Sequence, residues 1–205
     1  MFTGIIAGQG EVREVAPIGD GHDMRLRIAA PPGFLDGVAI GASIACAGCC
    51  LTAVLLEGDV FAVDVSAETL GLTALGGWRP GTRINLERSL RMGDELGGHM
   101  VSGHVDGMGR MAELAHENGS LRMRFVLPPA LARFVAAKGS ISIDGVSLTV
   151  NAVQADGFAV NVIPHTAEVT TLGRLRPGDP VHIEIDMLAR YVARLAETAT
   201  TGTTP

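Results

Sequence analysis

The feature that most constrains the fold of this chain is an internal repeat. When the sequence is shifted by 97 residues, the segment 61–65 (FAVDV) falls on 158–162 (FAVNV), and the Arg-Pro-Gly turn at 79–81 falls on that at 176–178. A shift of 99 places Met1–Gly4 on Met100–Gly103. The matches keep their order across half of the chain, which favours a duplication over chance similarity of short segments. Each unit of roughly 95 residues is near the lower end of domain size.

Each half has the pattern of β-strands. Apolar and polar residues alternate in 83–87 and again in 181–186, which indicates one buried and one polar face and therefore antiparallel sheet. Glycine and proline turns recur at short intervals. Several short strands in so small a unit predict an all-β fold of two small closed barrels, since closure removes exposed strand edges.

Two segments predict helices. After Pro128-Pro129, Leu131, Phe134 and Val135 have helical spacing and Gly139 ends the run. From Met187 to about Glu197, an apolar stripe at i, i+3, i+4 and i+7 predicts an amphipathic helix without a counterpart in the first half; its members are Leu188, Tyr191, Val192 and Leu195. We expect this helix to pack against another subunit; packing on its own barrel is the alternative.

Composition excludes several classes of protein. Hydrophobic residues make up 47% and charged residues 19%, so the chain has the apolar surface that a disordered protein lacks. A net charge of −6 argues against nucleic acid as a partner, because binding its phosphates needs a basic face. No apolar run approaches the ~18 residues of a membrane span, and the start lacks the positive region of a signal peptide. The three cysteines lie within five positions, which favours reduced thiols in the cytoplasm over a disulfide framework.

Metal binding is a weak interpretation of the cysteines. Cys46, Cys49 and Cys50 with His99 and His104 offer zinc ligands, but no second pair has finger-like spacing. The repeat carries Ile, Val and Ser where the first half has its three cysteines. We therefore predict no metal. A phosphate-binding loop and a serine-hydrolase elbow are also missing from the sequence.

Polar residues stand at matching places in the two halves. Ser43, Cys50, Thr52, Asp64 and Glu68 match Ser140, Ser147, Thr149, Asn161 and His165. Any one of them alone is best explained by hydrogen bonding to the backbone at a strand end. As a set they predict two versions of one ligand pocket.

Seven motifs resemble riboflavin synthase of the alpha-chain type, the lumazine-dismutating family. They are MFTGII at 1–6, GCCLT at 48–52, DVSAETLGLT at 64–73, NLER at 85–88, the segment 97–105, DGVSLT at 144–149 and IPHT at 163–166. The resemblance covers about residues 1–195. It implies two tandem six-stranded antiparallel barrels and a C-terminal helix through which three chains associate. The implied units are a first lumazine-binding barrel at 1–97, a second at 98–186, and an oligomerisation helix and tail at 187–205.

The resemblance also implies the reaction. The family dismutates two molecules of 6,7-dimethyl-8-ribityllumazine into riboflavin and 5-amino-6-(D-ribitylamino)uracil without cofactor or metal. Its active site pairs the first barrel of one chain with the second barrel of a neighbour, so a homotrimer binds two substrates per site. The resemblance leaves association with lumazine synthase open.

The family's site residues are carried over position by position. The implied catalytic residues are Phe2, Cys50, His104, Ser147 and Thr149. The implied first pocket holds Gly4, Ile5, Ile6, Ser43, Cys50, Leu51, Thr52, Asp64, Val65, Ser66, Ala67, Glu68 and Thr69. The implied second pocket holds Gly103, His104, Val105, Lys138, Asp144, Ser147, Leu148, Thr149, Asn161, Val162, Ile163, Pro164, His165 and Thr166. The family often has Asn where this chain has Ala47, which removes an amide beside the expected first pocket.

The chemistry limits the roles of these residues. The 7-methyl group of the lumazine is acidic because its carbanion delocalises into the pteridine, so orientation and a modest base suffice. His104 is the natural proton carrier, since imidazoles titrate near neutral pH. Cys50 or Ser147 would add to a ring carbon or position water there. Lys138 is the only lysine of the chain. For His99, the alternative to a role in the reaction is that it only stabilises the turn between the barrels.

Two other functions fit part of the pattern. A non-catalytic relative would keep the barrels and only bind lumazine or flavin. A flavin-dependent oxidoreductase of the reductase type would need a second nucleotide-binding domain, for which no residues are left over.

Overall fold

Twelve strands and four short or medium helices make up the part of the chain that the structure, a computed structural model, describes, which is residues 1–201. The first half contains β1 (Gly8–Ile18), β2 (Asp23–Ala29), β3 (Ser43–Cys46), β4 (Cys49–Glu57), β5 (Val60–Val65), α1 (Ala67–Leu72) and β6 (Arg83–Arg88). The second contains β7 (Gly107–Glu117), β8 (Ser120–Val126), α2 (Pro129–Ala132), β9 (Ser140–Ile143), β10 (Val146–Gln154), β11 (Gly157–Val162), α3 (Pro164–Val169) and β12 (Pro180–Ile185). A 3-10 turn follows α1 at Ala74–Gly77 and α3 at Thr171–Arg174, and α4 (Met187–Thr201) ends the described chain.

The strands form two closed barrels of six antiparallel strands each, as predicted. The first has the order β1-β2-β5-β4-β3-β6, and the second repeats this order with β7 to β12. Even the bulges coincide: those after Val12 and Ala53 match those after Met111 and Val150. The duplication therefore extends to the register of individual strands.

Each barrel encloses its own apolar core. Phe61, Leu26 and Ile44 lie at the centre of the first, and Phe125 and Phe158 stack in the second with ring centroids 5.6 Å apart. The alternation in the sequence supplies these inward side chains, since neighbouring residues of a strand face opposite sides of the sheet.

The segment that precedes each barrel crosses to the other barrel. We name residues 1–6 the first crossing segment and residues 100–105 the second crossing segment. They meet in a β-bridge between Phe2 and Val101. Ile6 packs against the core of the second barrel, and Val105 packs against the core of the first.

A pair of matched polar side chains joins the barrels at their contact. Asn85 donates its amide to the carbonyl of Asp144 (2.9 Å) and accepts the backbone N–H of Thr171 (2.8 Å). His182, the repeat equivalent of Asn85, donates from Nδ1 to the carbonyl of Ala47 (2.8 Å) and accepts the N–H of Ala74 at Nε2 (2.9 Å). Each barrel thus contributes one side chain that satisfies two backbone groups of the other, which fixes their relative position.

The helices differ in part from the prediction. The α2 helix is a single turn, although Leu131 and Val135 do pack against the second core. The α4 helix is present and extends beyond Glu197, whereas the predicted tail 202–205 lies outside the described residues. No helix within residues 1–201 is long and apolar enough to cross a membrane.

Candidate functional site

The first pocket is the cleft beside Cys50. It has a volume of about 160 Å³ and is lined by Cys49, Cys50, Thr69, Leu72, Thr73, Gly103, His104 and Val105. Gly103 accepts the backbone N–H of Cys50 at 2.8 Å, so the second crossing segment forms one wall. The cleft is smaller than the ~300 Å³ at which small-molecule sites usually begin, so by itself it does not enclose a ligand of that class.

The second pocket is the equivalent surface beside Ser147. Gly4 accepts the backbone N–H of Ser147 at 2.8 Å, and a Cβ built on Gly4 would lie 2.5 Å from that of Ser147. A Cβ built on Gly98 would lie 2.9 Å from the Cβ of Ser147, and His99 donates its backbone N–H to the carbonyl of Thr3. The first crossing segment is therefore a wall of the second pocket.

This geometry corrects the grouping expected from the sequence. The sequence predicted Gly4, Ile5 and Ile6 beside Cys50, and Gly103, His104 and Val105 beside Ser147. In the structure, Gly103, His104 and Val105 line the pocket of Cys50, Gly4 contacts Ser147, and Ile6 packs on the second core. Ile5 lines a separate cleft with Glu87 and Arg88. The two crossing segments follow equivalent paths, so the structural repeat extends to them. The difference from the expectation is that each segment contacts the pocket of the opposite barrel.

His99 and Ser147 form a hydrogen-bonded pair in the second pocket. Nδ1 of His99 lies 2.7 Å from Oγ of Ser147, and the Nε2 atom is buried without a hydrogen-bond partner. Burial lowers the pKa of His99, against an opposing effect of Asp186. A neutral imidazole at this distance is suited to accept the proton of a hydroxyl. The hydrogen bond to Ser147 therefore favours a role for His99 beyond stabilising the turn between the barrels.

The first pocket has no such pair, although it does hold a histidine. His104 stands on the second crossing segment, is exposed, and donates its backbone N–H to Oγ of Ser102. The equivalent position of the first crossing segment is Ile5, which is apolar and 53% exposed. The two pockets therefore have the same backbone arrangement but carry different histidines, His104 in the first and His99 in the second.

Only one of the three cysteines is available for chemistry. Cys46 and Cys49 are buried, while Cys50 is half-buried. Desolvation, with the nearby cysteine and Glu184 adding to it, raises the pKa of Cys49 to about 12, which keeps it a thiol. No cluster of three or more metal-ligating side chains occurs in residues 1–201.

Matched strand residues carry the predicted hydroxyl groups. Ser43 pairs with Thr52 across β3 and β4, and Ser140 pairs with Thr149 across β9 and β10. Thr52 and Thr149 are exposed. Their neighbours Leu51 and Leu148 are buried and half-buried respectively, and each packs against its own barrel core.

The runs 64–69 and 161–166 lead from the end of a strand into a short helix in each half. Ser66 caps α1 by accepting the N–H of Thr69, and Pro164 begins α3. Val65 and Val162 are buried, whereas Ala67, Glu68, Ile163 and His165 are exposed beside the helices. Thr69 lines the first pocket, and Thr166 has the equivalent position.

Asp64 and Asn161 show a charge difference between the halves. Arg25 binds Asp64 through two hydrogen bonds of 2.7 and 2.8 Å, and these bonds lower the pKa of Asp64. In the second half Arg122 stands opposite Asn161, and its nearest carboxylate, that of Glu117, is 3.8 Å away. Arg122 and Asn161 line a cleft of about 380 Å³. The second half therefore offers a more available guanidinium.

Lys138 occupies a backbone conformation that its residue type rarely adopts. Its φ is +66°, and its N–H donates to Val150 in β10, next to Thr149. The equivalent residue of the first half is Gly41, with φ +91° and the same bond to Ala53. A lysine where the repeat uses glycine carries backbone strain of about 1 kcal/mol or more, which favours a functional role for its amine.

Two predicted residues lie away from the pocket surfaces. Phe2 is fully buried and packs with Val101, Ala45 and Cys50, so it supports the first pocket from behind. Asp144 lies at the contact between barrels, where its carboxylate accepts the backbone N–H of His182 at 2.8 Å. Burial raises the pKa of Asp144.

Two buried glutamates, Glu87 and Glu184, were not among the site residues predicted from the sequence. Each accepts hydrogen bonds from one crossing segment. The internal repeat could have identified them, because a shift of 97 residues places Glu87 on Glu184. Their position on the polar side of alternating strands suggested solvent exposure, whereas the crossing segments cover them.

Ala47 lies at the contact between the barrels, where it lines a cavity of about 500 Å³ together with Asp144 and His182. Its φ is +47°, matching Asp144 at the same point of the second hairpin, and its carbonyl accepts a hydrogen bond from His182. Asparagine tolerates this left-handed conformation better than alanine does. The family's Asn therefore suits the backbone at this turn, and the loss of an amide beside the first pocket stays a prediction.

We predict that Ala47→Asn increases the free energy of unfolding by about 1 kcal/mol, because asparagine adopts the left-handed backbone conformation of residue 47 with less strain than alanine does. Chemical denaturation of both proteins at the same pH measures this. Ala45→Asn, at a buried strand position with ordinary φ, is the matched control and should destabilise. Equal or lower stability of Ala47→Asn would contradict the explanation.

Comparison with known proteins agrees with this geometry. The family model "Lumazine binding domain" matches residues 3–89 and again 102–186, one copy for each barrel. The chain is 48% identical to riboflavin synthase of Brucella abortus (strain 2308) over 96% of this chain and 98% of the relative. It is 44% identical to that of Mycobacterium tuberculosis (strain ATCC 25618 / H37Rv), with 97% and 100% covered.

Solved structures with this fold include LumP. LumP complexed with riboflavin superposes with a TM-score of 0.83 at 26% identity, covering 90% of this chain and 99% of that one. LumP complexed with 6,7-dimethyl-8-(1'-D-ribityl) lumazine gives a TM-score of 0.81 at 25% identity with the same coverage.

Proposed function

The chain belongs to the riboflavin synthase family of enzymes, and from that membership we propose that it converts two molecules of 6,7-dimethyl-8-ribityllumazine into riboflavin and 5-amino-6-(D-ribitylamino)uracil. The observation that carries this proposal is the presence of two matched but chemically different pockets. Two identical substrates with different fates, one giving and one receiving a four-carbon unit, need two similar surfaces with different reactive groups.

The reaction needs a proton acceptor and an activated ring carbon. In the first pocket, His104 beside Cys50 is placed to take the proton from the 7-methyl group of one lumazine. In the second pocket, His99 is placed to take the Ser147 proton as Oγ, or a water held by it, adds to the ring of the other lumazine. Thr149 and Lys138 stand on adjoining strand and loop positions, where they would orient that substrate. The methyl carbanion then attacks the activated ring of the donor lumazine. As the donor's two carbon–nitrogen bonds break, its nitrogens take up the protons that the acceptor's methyl groups release. The added oxygen leaves again, and the four-carbon unit stays on the acceptor, so no water is gained or lost overall.

Each pocket needs a facing wall, because the first cleft holds only about 160 Å³. A second chain can supply it: joining the first pocket of one chain to the second pocket of the next is a head-to-tail contact, which forms a ring when the rotation between chains closes. The exposed apolar stripe of α4 supports such assembly. We propose a homotrimer whose sites lie between chains, with two substrates stacked in each.

The remaining predictions concern location and partners. Three cysteines without a disulfide support a reducing, cytoplasmic location. Association with lumazine synthase stays open, as the family resemblance left it.

Simple lumazine or flavin binding is the second candidate function. The fold of LumP, which was crystallised with both kinds of ligand, favours it. Sequence identity favours the enzyme, since the relatives named riboflavin synthase are 36–48% identical to this chain and LumP is 25–26% identical.

We expect the purified protein, given only 6,7-dimethyl-8-ribityllumazine, to form riboflavin and the pyrimidine in equal amounts. The absorbance of riboflavin follows the reaction, and chromatography measures the ratio. EDTA should leave the rate unchanged. Tight binding of lumazine without product would support the binding protein, and loss of activity in EDTA with recovery in zinc would contradict a metal-free reaction.

A further inference from the structure

Two buried carboxylates hold the crossing segments in identical ways. Glu87 accepts the N–H of Thr3 at 2.6 Å, its hydroxyl at 2.7 Å, and the N–H of Gly4 at 2.9 Å. Glu184 accepts the same three groups from Ser102 and Gly103, at 2.6, 2.6 and 2.9 Å. Each carboxylate therefore binds three donors from two consecutive residues.

These carboxylates have no side-chain cation as partner. None of the ion pairs found in residues 1–201 involves Glu87 or Glu184, although both residues are buried. Burial raises the pKa of both, Asp106 adds to the effect at Glu184, and the chain's N-terminal ammonium opposes it at Glu87. Burying a carboxylate without a counter-ion costs free energy, so these residues are not explained by a gain in stability. Their main effect is to fix the position of the backbone N–H and hydroxyl groups that donate to them.

The bonds act across the repeat. Glu184 belongs to the second barrel, yet the Gly103 it holds forms a wall of the first pocket. Glu87 belongs to the first barrel, yet the Gly4 it holds lies against Ser147 in the second pocket. Both glycines have positive φ and no space for a Cβ, so their backbone contact with the pocket is close and sensitive to small shifts.

We propose that Glu87 and Glu184 are positioning residues for the reaction, each holding the wall of the pocket that belongs to the opposite barrel. The consequence for catalysis rests on the proposed function; the positioning of the walls does not. Glu184 sets the distance of Gly103 and His104 from Cys50, and Glu87 sets that of Gly4 from Ser147. The two pockets are therefore assembled from both repeats.

Replacement by glutamine is a sharp test because it preserves shape. A carboxylate presents acceptors at both oxygens, whereas a glutamine must point its NH₂ group at one of the N–H donors that the carboxylate accepts. We expect Glu184→Gln to displace Ser102–Gly103 and Glu87→Gln to displace Thr3–Gly4. Ser102→Ala and Thr3→Ala are milder variants that each remove one bond, and Glu113→Gln at an exposed ion pair is the matched control.

Cys50 reports the first wall independently of activity. Cys50 is the half-buried cysteine beneath Gly103, while Cys46 and Cys49 are buried. With 5,5'-dithiobis(2-nitrobenzoic acid), we expect one reactive thiol in the native protein. Glu184→Gln should make this thiol react about tenfold faster, and Ser102→Ala should change it in the same direction. Glu87→Gln, Thr3→Ala and Glu113→Gln should leave the rate within about twofold of the native protein.

Steady-state kinetics complete the test. Both glutamine variants should lower kcat/KM by about tenfold or more while thermal unfolding remains cooperative. An unchanged Cys50 rate in Glu184→Gln and Ser102→Ala would overturn the positioning of the first wall. Equal acceleration by Glu87→Gln would overturn the pocket assignment. Three reactive thiols would show unfolding, in which case the alanine variants decide. A wild-type protein without synthase activity but with the expected thiol pattern would refute the proposed function and leave the positioning intact.

Discussion

Ser147→Ala should lower kcat for riboflavin formation by at least about a hundredfold, because the variant loses a hydroxyl that the structure pairs with an imidazole. The change removes one oxygen at a half-buried position, so the barrel should remain folded and KM should change little. Stopped-flow absorbance of riboflavin at saturating lumazine measures the effect, with thermal unfolding as the check on structure.

The partner variant separates activation from packing. His99→Gln keeps a polar group beside Ser147 but cannot accept and release a proton near neutral pH, so kcat should fall by about tenfold to a hundredfold. Burial lowers the pKa of His99, and the neutral form is the one that accepts the proton. The contribution of His99 to the loss of activity in acid should therefore fall below the ordinary histidine range of about 6.5 and be missing in His99→Gln, whereas a contribution of His104 would remain in both proteins.

Cys50→Ala is the comparison within the same protein. Cys50 occupies the position of Ser147 in the first pocket but lacks a histidine within hydrogen-bonding distance in the described chain. We expect its loss to cost less than tenfold in kcat. A larger loss for Cys50→Ala than for Ser147→Ala would reverse the assignment of the activated ring to the second pocket.

The sequence was sufficient for the barrels because their determinants are local and repeated. Alternation in 83–87 and 181–186 specified inward and outward side chains, and the turns specified where strands end. The repeat then required that whatever fold one half adopts, the other adopts too. The matched bulges after Ala53 and Val150 show how far this equivalence extends.

The exchange of crossing segments could not be obtained in the same way. Gly4 and Gly103 are equivalent in the repeat. Aligning the two halves of the sequence therefore gives the same result whichever barrel each glycine contacts. What decides between the arrangements is a set of long-range backbone contacts, such as that from Cys50 to Gly103, which leave no periodicity in the sequence. The alternation pattern likewise gave a wrong expectation for Glu87, since the strand face that it marked as polar is covered by the first crossing segment.

The helix α4 carries the last prediction, which concerns assembly. Leu188, Tyr191, Val192 and Leu195 are 61–69% exposed, so nothing within residues 1–201 covers their apolar face. Each such side chain gains about 1.5–3 kcal/mol when fully buried, and a trimer would bury three copies of the stripe. Removing residues from Met187 onward should therefore lower the oligomer number and the activity.

A substitution tests the same surface without deleting the helix. Truncation also removes the ion pair between Arg190 and Asp106, which ties α4 to its own barrel. Tyr191→Glu with Leu195→Glu keeps that pair, and Arg194→Gln on the same helix is the control. We expect light scattering to show monomers for the double variant, with synthase activity reduced more than about a hundredfold because each site has lost its facing wall. Since the barrels keep their own cores, thermal unfolding should remain cooperative. A monomeric double variant with full activity would mean that one chain brings its two pockets together unaided, and a fully active trimer would mean that another surface joins the chains.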